Sequence, residues 1–272
     1  MINIITALHC EAKPVIDFFR LKEFNSTNGL RVFANDDICL AVGGIGKSCT
    51  IASTAYMHGL SKGSANTAWL NMGIAGHNSH ALGKGFLVNK ITDAESGQNW
   101  YPVMPGGLKI PSEKLVTVTK PEGQYPHGPL YDMEASGFFS TAARFTTVEL
   151  IHCFKVVSDN SSHPANTITK SMVIDLIGGQ LSTIKQVIDY MRTLSAEAIS
   201  AGAEPIEYRM LLDRWNFSAY QKHELKKCLR RIEMIDHIHT ALSPEILALD
   251  NAGDVIKHLN TLIASFPMRI SI

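Results

Sequence analysis

The chain has 272 residues, 45% of them hydrophobic, and lysine plus arginine equals aspartate plus glutamate at 25 each. That length and apolar content can build the core of one large α/β domain, or of a domain with an extension. Balanced charge removes the polyelectrolyte case for nucleic acid or a membrane surface, so the expected partner is a small molecule.

Strand-like runs open the sequence at Ile2 to Leu8, Leu30 to Ala34 and Ile38 to Val42. They are separated by a helical stretch from Glu11 to Phe19 and a polar turn around Asn25 to Gly29. Gly43-Gly44-Ile45-Gly46-Lys47-Ser48 follows, leading into a helix from Cys49 to about Leu60. Its Gly-Lys-Ser ending invites a phosphate-loop reading, which fails at Ala41, where G-x-x-x-x-G-K-S demands glycine. Glycines between a strand and a helix still let backbone amides approach a ligand closely.

Ala68 to Gly73 reads as a buried strand ending in Gly73-Ile74-Ala75-Gly76, and Phe86 to Ile91 continues the sheet. A Gly/Pro-rich loop spans Asp93 to Pro111, and Leu115 to Thr119 alternates like a strand. The stretch from Leu130 to Phe139 is read as a helix opening that carries an acidic pair, with Glu134 on its buried side. Cys153 to Val157 is a strand that ends in Ser158-Asp159, as the first strand ends ahead of Glu11. Three carboxylates at the edges of apolar elements predict one cleft, since a buried carboxylate needs partners.

Asn160 to Thr169 is polar and irregular, the place for a lid. Helical periodicity then runs from about Ser171 to Ala201 with a break near Gly178-Gly179, and Gly202 to Pro205 reads as a linker. Beyond Glu207 the character changes to amphipathic helices. Lys222, His223, Lys226, Lys227, Arg230 and Arg231 lie on a stripe opposite Leu225, Leu229 and Ile232, which is read as a solvated face. Ser243-Pro244 opens another helix. The five cysteines lack CxxC spacing and read as reduced core residues; with no signal-like start and no bilayer-length apolar run, a cytoplasmic protein is expected.

The order of these motifs resembles the nucleoside phosphorylase and nucleosidase superfamily, which includes methylthioadenosine/S-adenosylhomocysteine nucleosidase. Glu11 follows the first strand, and Gly43 to Lys47 is similar to the family's Gly-Ile-Gly-Lys turn. Asn71-Met72-Gly73-Ile74-Ala75-Gly76 resembles its Asn-Thr-Gly-Ser-Ala-Gly strand end, Met133-Glu134-Ala135 its Met-Glu-Ala, and Ser158-Asp159 its Ser-Asp. The resemblance covers residues 1 to about 195. It implies a three-layer α/β/α sandwich with a central mixed sheet over residues 1–201, and a homo-oligomer; the helical C-terminal extension at 202–272 is read from its own amphipathic pattern.

The implied activity is cleavage of the N-glycosidic bond of a purine nucleoside or a 5′-modified relative, with no cofactor and no metal. Asp159 would be the general acid at the base, a role that requires a carboxyl protonated through burial, and Glu11 would activate water. Glu134 would accept hydrogen bonds from the ribose hydroxyls. Met133, Ser158, His9, Met72, Gly73 and Phe154, with Val118, are the further candidates for substrate contacts. Gly44, Gly46, Lys47, Ile74 and Lys155 form the region where the nucleophile or an anion would sit. Ile74 cannot donate to phosphate, so water is favoured over phosphate as co-substrate. A phosphorylase with an unusual anion site, and a nucleoside-binding or regulatory protein with little turnover, stand as alternatives.

Overall fold

The computed structural model describes residues 1–27, 30–61, 65–126, 128–202, 205–235 and 243–265. The turn expected at 25–29 and the linker expected at 202–205 therefore lie partly outside the described residues. The chain forms two compact units, Met1–Ser200 and Ala201–Ile272.

In the first unit, β1 (Ile2–Thr6), β4 (Ile38–Val42) and β5 (Ala68–Gly76) are neighbouring parallel strands, and β10 (Ile151–Asp159) lies parallel to β5 on its other side. β2 (Lys22–Thr27) and β3 (Leu30–Ala34) extend the sheet antiparallel beyond β4. At the opposite end, β6 (Gly85–Asp93), β8 (Ser112–Thr117) and β9 (Leu130–Asp132) run from β10 back to β5, so five strands close on themselves. The short β7 (Asn99–Trp100) pairs with β6. The result is a mixed sheet with helices on both faces.

Alternation along the strands makes both faces apolar. On β5, Ala68, Leu70 and Met72 point to one core and Trp69 and Ala75 to the other. The first core is closed by α1 (His9–Phe19), α4 (Lys170–Gly178) and α5 (Leu181–Gly202), through Val15, Val173, Ile177, Ile184 and Ile188. The second is closed by α2 (Lys47–Leu60) and α3 (Ala135–Ala142), through Met57, Phe138 and Phe139. A side chain at Gly137 would come within 2.9 Å of the Lys47 carbonyl oxygen, so glycine sets how closely α2 and α3 pack.

The stretch read as a helix opening at Leu130 differs. Leu130–Asp132 is strand β9, and α3 begins only at Ala135. Three residues ahead of a helix, Leu130, Tyr131 and Asp132, are too few to separate a helical from a strand period, and pairing with β8 decides the outcome.

The second unit holds α6 (Ile206–Arg214), α7 (Ala219–Ile235), α8 (Pro244–Leu247) and α9 (Ala252–Ser265). They pack around Leu211, Trp215, Leu225, Leu229, Val255 and Leu259. Trp215 donates its indole N–H to the Leu249 carbonyl at 3.2 Å, tying α6 to the segment after α8. Lys222, His223, Lys227 and Arg231 are exposed on the outer side of α7. No described helix is long and apolar enough to cross a membrane.

Candidate active site

The parallel strands β1, β5 and β10 finish at one edge of the sheet, and a cavity of about 290 Å³ opens there. Carboxyl ends of parallel strands are the usual ligand edge of an open α/β sheet, because successive βα turns meet there. Glu11, Glu134 and Asp159 line this cavity together with Ile74, Met133 and Ser158. The three carboxylates read from the sequence as one cleft do share one.

Each carboxylate is held differently. Glu11 lies in the first turn of α1 and accepts from the Ala7 and Leu8 amides at 3.0 and 2.8 Å through Oε2, and from the Ile74 amide at 2.9 Å through Oε1. Burial raises its pKa although these three donors pull the other way. A Cβ at Gly73 would sit 2.6 Å from Oε1, so glycine on β5 is what lets Glu11 reach the strand.

Glu134 stands at the N-cap position of α3 and accepts from the Gly46 amide at 2.8 Å, across 88 residues of sequence. Gly46 adopts φ +98°, a conformation that glycine supplies without strain. Burial, then the negative charge of Asp132, push the Glu134 pKa up to about 7, with Lys155 and the Gly46 amide opposing. Asp159 ends β10, where its Oδ1 accepts from the Ser158 hydroxyl and its Oδ2 from the Tyr125 phenol.

Lys155 and Lys47 are both committed to carboxylates. Lys155 is buried against Asp132 at 2.8 Å; desolvation works against its charge, but Asp132 and Glu134 outweigh it and keep the ammonium above its ordinary range. Asp132 also accepts from the Thr117 hydroxyl at 2.8 Å and from the Ala135 amide at 2.9 Å, which ties the pair to β8 and to the start of α3. Lys47 bonds Asp93 at 3.0 Å and Glu95. Burial would raise the Asp93 pKa, but donors from Ser96, Ser136 and Lys47 drive it well below the usual carboxylate range. The cavity walls thus carry five carboxylates, Glu11, Glu122, Asp132, Glu134 and Asp159, and among the described residues no lysine or arginine.

Other candidates stand apart from the cavity wall. His9 precedes Glu11 by two positions, about 200° round a helix, so it faces away and meets Phe33 at 5.9 Å. Met72 and Phe154 lie further back along their strands, in the first core, and are not on the cavity wall. Gly73 and Gly46 act through the carboxylates they admit, while Gly44, with φ +96°, shapes the turn. Residues that the sequence reading did not assign to the site are Asp132, Tyr125, Tyr131, Glu122 and Ile45. Asp132 belongs to the noted acidic pair, and Tyr125 is a lone aromatic amid glycine and proline, a signal of packing that carries no address.

Among the described residues, one trio, His77, His80 and Glu113, brings potential metal ligands within 4.8 Å of one another. His77 Nδ1 accepts from the Ser79 and His80 amides at 3.0 and 2.9 Å, so Nε2 carries the proton and donates to the Gly128 carbonyl at 2.8 Å. With no lone pair to offer, His77 does not suit a metal. Its pKa is lowered by burial, consistent with a neutral ring.

No protein-family model matches the sequence, and no curated protein is similar enough to match. Solved structures do match. The chain is similar to the Arabidopsis thaliana 5′-methylthioadenosine nucleosidase at a TM-score of 0.61 and 15% identity, over 70% of this chain and 95% of that one. It is similar to the 5′-methylthioadenosine/S-adenosylhomocysteine nucleosidase of S. pneumoniae, solved with a transition-state inhibitor, at 0.56 and 17%, over 71% and 99%. The futalosine hydrolase of Helicobacter pylori matches at 0.55 and 13%, over 72% and 97%. At these identities the likeness is one of fold. In backbone the chain is similar to these nucleosidases and to this hydrolase.

Proposed function

We propose that this protein hydrolyses the N-glycosidic bond of a purine nucleoside or a 5′-modified relative. The observation that carries the choice of water over phosphate is the charge of the cavity: five carboxylates line it, and both nearby lysines are neutralised by their own partners. With Asp132 cancelled by Lys155 and Asp159 holding the proton it delivers, a phosphate dianion still meets Glu11, Glu122 and Glu134 and, among the described residues, no lysine or arginine on the wall, whereas the cationic sugar of an oxocarbenium-like transition state is attracted.

In this reading Asp159 gives its proton to the purine N7 as the C1′–N9 bond breaks. Water, oriented by Glu11, forms the new C1′–O bond and passes its proton to that carboxylate. Glu134 accepts from the ribose hydroxyls and binds more tightly as positive charge develops on the ring. Glu11, Glu134 and Asp159 are themselves buried, which leaves them little competition from bulk water.

The deciding experiment is base release from adenosine, inosine, methylthioadenosine, S-adenosylhomocysteine and uridine, with and without phosphate, for wild type and Asp159→Asn. Release that ignores phosphate and falls about 10²- to 10⁴-fold in the variant is expected. Release that requires phosphate would make the protein a phosphorylase. Absence of release from every compound would remove the hydrolytic reading.

A further inference from the structure

Both oxygens of the proposed acid are already occupied. Ser158 donates to Asp159 Oδ1 and Tyr125 to Oδ2. Ser158 is the preceding residue on buried strand β10 and cannot leave without the strand. Tyr125 lies in the connection between β8 and β9, where it is 1% exposed and the only buried residue among those described from 119 to 129. Its φ of +46° is a conformation that side chains disfavour.

The ring is seated against the floor of the cavity. A Cβ at Gly76 would come within 2.5 Å of Tyr125 Cε1 and 2.6 Å of Asp159 Oδ2, so glycine, phenol and carboxylate form one contact. The neighbouring chain is tied down beyond the ring, where Tyr131 donates to the Pro126 carbonyl and His77 to the Gly128 carbonyl. Before it, Thr119, Lys120 and Pro121 are exposed. Tyr125 is therefore the side chain of this stretch that enters the site, with Tyr131 holding its end at Pro126.

We infer that Tyr125 occupies the place of the leaving base, and that exchange of its phenol for the base selects the substrate. The inference rests on Asp159 being the acid that meets the base. A flat base that takes its proton from Asp159 Oδ2 needs the space over Gly76 that the Tyr125 ring fills, so one leaves before the other binds. A group that replaces Tyr125 must match it in kind, with a flat aromatic body over Gly76 and a polar ring atom at Asp159. Free sugars and aliphatic leaving groups offer neither.

The test uses adenine as the probe, with its affinity and the amide hydrogen exchange of residues 119–126 measured beside nucleoside turnover. Tyr125→Phe keeps the ring and removes the hydrogen bond, and Tyr125→Ala removes both. Tyr125→Phe is expected to tighten adenine binding and lower KM about tenfold, the worth of a hydrogen bond to a charged group, and Tyr125→Ala at least as much. In wild type, adenine is expected to speed exchange in residues 119–126, the reverse of a loop that closes over its ligand. Turnover by wild type, with adenine affinity unchanged or weakened in both variants, or with slower exchange on binding, overturns the exchange and leaves the function standing. No turnover and no adenine binding by any of the three proteins overturns both.

Discussion

Lys155 and Asp132 form an ion pair at 2.8 Å in which the side chains are 1% and 0% exposed. Breaking such a pair leaves one charge without solvent or partner, which costs about 3–5 kcal/mol. Lys155→Met is expected to lower stability by that amount in urea unfolding, and Lys155→Met with Asp132→Asn to regain much of it. A single variant within about 1 kcal/mol of wild type would mean that water reaches Asp132.

Glu134 links stability to pH. Its folded pKa of about 7 exceeds the ordinary 4.5, so the folded state holds this proton more tightly than the unfolded chain does. The stabilisation is complete below pH 4.5 and is lost as pH rises through 7, a change of about 3 kcal/mol at 1.36 kcal/mol per unit. Glu134→Gln should melt above wild type at pH 8.5, and the advantage should vanish at pH 5. A difference in melting temperature that stays flat across that range would show Lys155 and the Gly46 amide holding the carboxylate ionised.

Gly73→Ala places a methyl group 2.6 Å from Glu11 Oε1, and three backbone amides leave that carboxylate little room to retreat. Overpacking of this kind costs about 1–3 kcal/mol. Because the misplaced group is the proposed base, turnover should fall by roughly 10²-fold while the protein remains folded. Full activity in a folded variant would remove Glu11 from the mechanism.

Thiol reactivity should separate the five cysteines, all free. Cys49 is exposed on α2, whereas Cys10, Cys153 and Cys228 are buried and Cys39 is half-buried. Burial raises the Cys10, Cys39, Cys153 and Cys228 pKa values, Cys39 to about 11, which suppresses their thiolates. One thiol per chain should react rapidly with an aromatic disulfide reagent at pH 8, and Cys49→Ser should abolish that phase. A second rapid phase would contradict this burial pattern.

Local pattern made much of this protein legible from its sequence. Apolar runs on β1, β5 and β10 marked buried strands, glycines marked the turn into α2 and the break between α4 and α5, and carboxylates at strand ends marked one cleft. These signals have short periods imposed by the backbone itself, so each can be read within about ten residues. Tertiary structure alone decided which partner each polar group found. Lys155 turned inward to Asp132, Gly46 gave its amide to Glu134 across 88 residues, and Tyr125 reached Asp159 across 34. Burial obliges a polar group to find a partner, but which partner depends on the strands brought side by side, and no local period encodes that pairing.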